Sequence, residues 1–238
     1  MRHFGIIGYP LQHSFSAKYF SEKFAREHID AEYSLYPIEV DKLPSRIEEI
    51  LSSLDGLNVT MPFKQAVIPY LDHLDATAEA VGAVNVICNR VGYNTDCLGF
   101  MESLRPMLRP FDQEALVLGT GGAAKAVVFG LKQLGLCPTL VSRTPQEGQL
   151  GYEQLDQALM ESHTVLVNCT PLGMFPDVES CAPIPYEMIS ARHLLFDCVY
   201  NPEETLFLQR GKAQGATIRN GIEMLYGQAK AAWKIWNN

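Results

Sequence analysis

Residues 115–124 read Ala-Leu-Val-Leu-Gly-Thr-Gly-Gly-Ala-Ala. An apolar run enters a glycine-rich turn, and the segment 123–134 beyond it carries apolar residues at helical spacing. Strand, tight glycine loop and helix, in that order, form the unit that binds dinucleotides. Gly119, Gly121 and Gly122 let the backbone turn sharply and approach a pyrophosphate. The helix start around Thr120 and Ala123 then turns its free N–H groups and positive dipole end toward that anion. The competing reading of a lone glycine loop is a plain tight turn, and the strand–loop–helix setting argues against it.

Working outward from this loop, strand-like runs recur at 138–142, 165–169, 194–199 and 216–219, and a last helix covers 222–236. The first half shows the same alternation. Strands are expected near 4–8, 33–37, 56–60 and 83–88, with helices near 16–27, 44–53 and 76–81. A tight turn at 89–92 leads into a short strand ending at Tyr93, and 96–107 has a helical pattern. Such alternation predicts an α/β protein with largely parallel sheets. The segment 110–114 is the expected boundary. Residues 1–110 are then a mainly parallel α/β substrate domain and 111–220 a Rossmann-like nucleotide domain. The helix 221–238 packs back on the first domain, and the active-site cleft lies between the two.

Composition narrows the function. A formal charge of −8 and a pI near 5.2 argue against a nucleic-acid surface. No apolar run approaches the roughly 20 residues of a membrane span. The first eight residues read as a strand rather than a signal peptide, so a cytoplasmic protein without membrane partners is expected. The six cysteines and six histidines are scattered without metal-ligand spacing, so neither a disulfide framework nor a metal site is expected. The oligomeric expectation is a monomer or homodimer.

The end of the strand after the glycine loop selects the nucleotide. NAD enzymes usually carry an acid there for the ribose hydroxyls. Here the chain reads Leu140-Val141-Ser142-Arg143-Thr144, without an acid, and Arg143 suits a 2′-phosphate. NADP(H) is therefore favoured over NAD, although Glu147 pulls the other way and a solvated surface arginine is the bland alternative. A methyltransferase is disfavoured for the same lack of an acid.

A second group of residues points to proton transfer on an oxygen-rich substrate. Lys64 ends the stretch Asn58-Val59-Thr60-Met61-Pro62-Phe63-Lys64, and Asp96 ends Asn94-Thr95-Asp96. A lysine near a carboxylate can pass a proton as hydride moves. Taken singly, Lys64 reads as a loop lysine and Asp96 as an N-cap. Their company decides: Asn58, Thr60, Asn85 and Asn94 stand at or just past strand-like runs, the edge where open α/β sheets bind ligands. Ser14 and Ser16 follow the first strand and either bond a substrate carboxylate or cap the next helix. Gln228 on the final helix reaches a substrate hydroxyl or simply faces solvent.

Together these motifs resemble the shikimate dehydrogenase family, over nearly everything from Gly8 to Gln228. The segment from Gly8 to Ser16 looks like the family's serine motif, which implies that Ser14 and Ser16 hold the substrate carboxylate. The stretch ending at Lys64 is similar to its catalytic lysine motif. That implies substrate contacts from Thr60 and acid/base work by Lys64. Residues 82–85 and 94–96 match two more family motifs, which implies Asn85 and Asp96 on the ring hydroxyls. Residues 119–124, 142–144 and 168–174 resemble the NADP half. The closing motifs at 197–202 and 221–228 imply that Tyr200 and Gln228 face the substrate, while Cys198 and Gly221 lie by the nicotinamide. Ser142 stands where the family motif usually has Asn, and Glu147 where a second basic residue is common. The resemblance implies NADPH-dependent reduction of 3-dehydroshikimate to shikimate, a step of chorismate and aromatic amino acid biosynthesis. A quinate or aminoshikimate dehydrogenase would keep every motif. A non-catalytic dinucleotide-binding regulator is the alternative outside enzymology, and it would need neither Lys64 nor Asp96.

Overall fold

The computed structural model describes residues 1–11 and 14–238. The chain divides into two units, one formed by Met1–Thr95 with Gln228–Asn238 and the other by Asp96–Gly227.

In the first unit β1 (Arg2–Gly8) is followed by α1 (Phe15–Arg26), β2 (Ala31–Pro37), α2 (Leu43–Ser53) and β3 (Gly56–Val59). Then come β4 (His73–Leu74), α3 (Ala76–Val81), β5 (Val86–Cys88) and β6 (Val91–Tyr93). The sheet order is β2-β1-β3-β5-β6-β4. β1 lies parallel to both β2 and β3, while β5 runs antiparallel to β3 and to β6. The simple strand–helix alternation in the sequence does not disclose that reversal. The turn back from β5 into β6 is local: Asn89 and Arg90 both take positive φ, which is what a two-residue hairpin turn requires.

The helices follow from ordinary signals. Ser14 caps α1, Asp75 caps α3, and α3 stops at Gly82 in the left-handed conformation. Leu43, Ile47 and Ile50 form one buried stripe on α2, against Ile7, Leu57 and Val59 of the sheet. On the other side Phe4, Phe20 and Phe24 pack with Ala229, Ala232 and Trp236 at the end of the chain. The two alanines belong to α8 (Ile222–Ile235), which Trp236 directly follows. The Trp236 indole N–H donates to the Ile87 carbonyl at 3.1 Å. Gly56 passes beneath the indole so closely that any Cβ there would overlap it.

The second unit opens with α4 (Asp96–Leu104) and continues β7 (Glu114–Leu118), α5 (Gly122–Gln133), β8 (Cys137–Ser142), β9 (Leu150–Gly151) and α6 (Gln157–Ser162). β10 (Val165–Asn168), β11 (Leu194–Asp197), α7 (Leu206–Ala213) and β12 (Thr217–Arg219) complete it. All its strands are parallel, in the order β12-β11-β10-β7-β8-β9. This is the doubly wound dinucleotide arrangement, with its switch point between β7 and β10.

Both faces of that sheet are covered, which is why its strands read as unbroken apolar runs. Ala115, Val117, Val165, Val167, Leu194 and Phe196 face a core that holds Val127 and Leu131 of α5 and Phe100 and Leu104 of α4. Leu116, Leu118, Leu166 and Leu195 face the other, with Met160 and Phe207. The burial of Phe100 and Leu104 explains why α4 clusters with this unit, although the sequence suggests a boundary near 110.

Candidate functional sites in the two units

In the first unit the C-terminal ends of β1 and β3 form one edge of the sheet. Because β5 is antiparallel, Asn85, which precedes it, lies at that same edge. The Val59 N–H donates to the Asn85 carbonyl at 2.9 Å, and the Asn85 N–H to the Tyr93 carbonyl at 3.0 Å. Asn94, just past β6, arrives there too and donates through Nδ2 to the Ala83 carbonyl at 2.9 Å. The start of β5 and the end of β6 thus meet at one edge because a hairpin joins the two strands.

Polar side chains at this edge are bonded to one another. Asn85 Oδ1 accepts from the Thr95 N–H at 2.7 Å, and Asn85 Nδ2 donates to Thr95 Oγ1 at 3.0 Å. Asn58 Nδ2 donates to the Asn85 carbonyl at 3.2 Å. Asn58 Oδ1 accepts from the Tyr33 hydroxyl at 2.7 Å, and the Ser16 hydroxyl bonds the same phenol. Burial pushes the Tyr33 phenol well above its ordinary range, which keeps it a neutral donor. Of the residues singled out from sequence, Ser16 and Asn58 are therefore joined through Tyr33, and Asn58 bonds Asn85 directly. Nothing in the sequence points to Tyr33, since a tyrosine in a strand reads as core.

Ser14 Oγ accepts from the Ala17 N–H at 3.3 Å, so its capping role exists in the fold. Gln12 and His13, in the same serine-bearing segment, lie outside the described residues. The Thr60 N–H donates to the Ile7 carbonyl at 2.9 Å, and its methyl group would block any Cβ at Gly8. A turn follows, closed by Phe63 N–H to the Thr60 carbonyl at 2.9 Å and anchored by the buried Phe63 ring. Lys64 sits on this turn, half-buried, and its carbonyl accepts from the Val84 N–H at 2.7 Å. Asp96, directly after the doubly bonded Thr95, is buried, as is Gln228. Tyr200 is 37% exposed.

In the second unit the switch point carries the glycine turn. Gly119 has φ +104, and a Cβ there would meet the Thr170 methyl at 3.1 Å and the Cys169 backbone at 3.4 Å. Gly121 caps α5 with no side chain, and a Cβ there would project into open space. The first turn of α5 holds no acid, so its N–H groups and dipole are left for an anion. Beside it lies a cavity of about 360 Å³, lined by Thr120, Lys125, Ser142 and Thr144 among others. Arg143 is exposed and outside that lining, where its charge acts on Tyr152.

A buried polar cluster underlies this edge. Asp197 Oδ1 accepts from Asn168 Nδ2 and from the Val199 N–H, each at 2.9 Å, and Oδ2 accepts from the Thr205 hydroxyl. Burial pushes the Asp197 carboxyl up to about 6, against the pull of those three hydrogen bonds. Asn168 Oδ1 in turn accepts from the Thr170 N–H at 3.0 Å and from its hydroxyl at 2.6 Å. Thr170 is the residue that touches Gly119. Cys169 and Cys198, on neighbouring strand ends, bring their sulfurs to 3.8 Å. Gly221 lies against the Cys198 carbonyl, where a Cβ would overlap the oxygen. The sequence motifs around 168 and 197 flag these segments but not the supporting role of Asp197, Asn168 and Thr170.

Known proteins resemble this chain over almost its whole length. Residues 6–87 match the model of the shikimate dehydrogenase substrate binding domain. The chain is 35% identical to the shikimate dehydrogenase (NADP(+)) of Desulforamulus reducens, over 98% of this chain and 88% of that protein. The chain belongs to the shikimate dehydrogenase family. The shikimate dehydrogenase (NADP(+)) of Clostridium beijerinckii is 38% identical, over 99% of this chain and 92% of its own. The crystal structure of the shikimate 5-dehydrogenase of Thermus thermophilus, in complex with NADP(H) and shikimate, superposes with a TM-score of 0.88 at 31% identity. That superposition covers 99% of this chain and 93% of the other.

A dinucleotide fits the second unit on its own geometry. The side-chain-free cap at Gly121, the close approach at Gly119 and the polar cavity beyond them leave room where a pyrophosphate and ribose would lie. Among the described residues no group of three or more His, Cys, Asp or Glu side chains is arranged to hold a metal, and no helix is long and apolar enough to cross a membrane.

Proposed function

We propose that this protein is an NADP-dependent oxidoreductase that interconverts 3-dehydroshikimate and shikimate. The observation that carries the reading is the sheet edge where Thr60, Asn85 and Asn94 converge, with Lys64 on the turn after Thr60 and Asp96 next in the chain after Thr95. Family membership over almost the whole chain supports it.

In this reading Ser14 and Ser16 bind the substrate carboxylate, and Asn58, Thr60, Asn85, Tyr200 and Gln228 grip the ring hydroxyls. Thr120 and the glycines at 119, 121 and 122 hold the pyrophosphate with Ala123, while Ser142, Arg143 and Thr144 serve the adenosine end. Cys198 and Gly221 flank the nicotinamide. When bound, NADPH supplies the hydride that the ketone carbon accepts. Lys64 delivers a proton to the ketone oxygen as negative charge develops there, and takes it back in the reverse direction. Asp96 accepts a hydrogen bond from the neighbouring ring hydroxyl and so fixes the substrate beside the lysine. The hydrogen bonds within the asparagine cluster hold their groups before substrate arrives, which lowers the ordering cost of the reaction.

The test is the absorbance of reduced nicotinamide on mixing the purified protein with shikimate and NADP⁺. Lys64→Ala should lower kcat by at least ~10²-fold with little change in KM. Turnover near the unsubstituted rate would remove Lys64 from the mechanism. Preference for quinate or an aminoshikimate would reassign the substrate, and dinucleotide binding without any turnover would mark a sensor.

A further inference from the structure

We propose that Cys169 and Cys198 form a redox-sensitive dithiol, which a small disulfide closes to an internal S–S bond, and that closure weakens dinucleotide binding. The inference rests on the dinucleotide reading of the second unit and adds a modification site to it.

The pair comes from the register of the sheet. β10 and β11 are parallel, with Asn168 opposite Asp197. The next residue after each is a cysteine, so the two side chains leave neighbouring strand ends on the same face. The Cys198 N–H donates to the Asn168 carbonyl at 2.9 Å, which continues the ladder and fixes that spacing. The sulfurs stand 3.8 Å apart, both half-buried and both against the core that holds Val127 and Phe196. All six cysteines of the chain are free. Burial pushes the Cys169 thiol well up, and the neighbouring sulfur acts in the same direction, so this thiol stays protonated at neutral pH. In the sequence the two cysteines lie 29 residues apart, a spacing without any signal, and only the sheet brings them together.

The chemistry needs one oxidant, a low-molecular-weight disulfide such as glutathione disulfide. One cysteine, as thiolate, attacks a sulfur of the oxidant and expels a glutathione thiolate, leaving a mixed disulfide. The second cysteine attacks the protein sulfur of that mixed disulfide and expels the other glutathione thiolate. The protein gives up two protons and two electrons, and two molecules of reduced glutathione form. Bonding draws the sulfurs from 3.8 Å to about 2 Å. Side-chain rotation takes up part of that closing and the backbone takes up the rest. The segments that shift are those against which two glycines of the nucleotide site are packed. A Cβ on Gly119 would meet the Thr170 methyl at 3.1 Å and the Cys169 backbone at 3.4 Å, and one on Gly221 would overlap the Cys198 carbonyl. Coupling of this kind works both ways, so bound dinucleotide opposes closure by the factor by which closure weakens binding.

The experiment equilibrates the full chain anaerobically in glutathione buffers of rising disulfide content, with and without saturating NADP⁺, and traps free thiols by alkylation. Peptide mass mapping should find Cys169 cross-linked to Cys198. Calorimetry should show NADP⁺ binding the oxidised protein about 10- to 100-fold more weakly than the reduced one, the scale of a displacement near 1 Å at a site, and dithiothreitol should reverse the loss. Saturating NADP⁺ should raise the glutathione disulfide needed for half-oxidation by a similar factor. Cys169→Ala, with folding checked by circular dichroism, should bind NADP⁺ equally before and after the same treatment. Absence of the cross-link in the most oxidising buffer, or a cross-linked protein that binds NADP⁺ as the reduced one does, would overturn the proposal. An equal loss in Cys169→Ala would do so too, by assigning the effect to another cysteine. Failure of the reduced protein to bind NADP⁺ would overturn the dinucleotide reading and the coupling with it, while the peptide map would still show whether the pair closes.

Discussion

Asp197→Asn isolates a carboxylate whose titration the fold has moved. Asp197 is fully buried, and the three groups that bond it, from Asn168, Val199 and Thr205, are all neutral. Burial raises its titration from the ordinary 3.8 to about 6. A separation of about two pH units corresponds to about 3 kcal/mol. The folded state binds the proton more tightly than the unfolded chain does. Asp197 therefore contributes its stability in full below 3.8, and loses it as pH rises through about 6. The carboxamide of the variant keeps an oxygen for Asn168 and Val199 and turns an N–H toward Thr205, whose hydroxyl can accept. It does not titrate. The offset between the two proteins at any single pH includes the altered hydrogen bonds, but the change of that offset with pH reports the carboxylate alone. Urea unfolding of both proteins across this window should show the unsubstituted protein losing about 3 kcal/mol relative to Asp197→Asn between acid and neutral pH. A difference that stays flat across the window would refute the claim that burial of this carboxylate outweighs its three hydrogen bonds.

The remaining predictions concern packing. Trp236→Ala removes an indole that fills the space among Phe4, Phe20 and Gly56 and leaves the Ile87 carbonyl without its donor. Chemical unfolding should show a loss of about 3–5 kcal/mol, and a loss under about 1 kcal/mol would contradict a packed chain end. Gly221→Ala drives a methyl group into the Cys198 carbonyl, where the obstacle is backbone and cannot swing away. It should cost about 1–3 kcal/mol and weaken dinucleotide binding, and unaltered melting and affinity would show that the two loops do not touch.

The first sheet shows where sequence reading runs short. Asn85 belongs by pattern to a strand covering 83–88, yet it precedes β5 and reaches the polar edge because β5 is reversed. Period-two hydrophobicity is the same for a strand running in either direction, so direction is invisible until the partners are known. Tyr33 escapes notice for a related reason. It has an ordinary local context, and its significance comes from residues distant in the chain.

Local chemistry is enough for the rest. The glycine turn at 119–122, the caps at Ser14 and Asp75, the apolar strands 115–118 and 165–168, and the polar residues around Lys64 and Asp96 all carry short-range signals. From these the alternating α/β order and the kind of ligand are legible, because backbone conformation and helix capping depend on immediate neighbours. Tertiary structure decided which strand ends share an edge, which cation lines the nucleotide cavity, and where a carboxylate such as Asp197 is stripped of water. Those properties depend on what packs around a side chain, and burial is a sum over contacts from the whole unit.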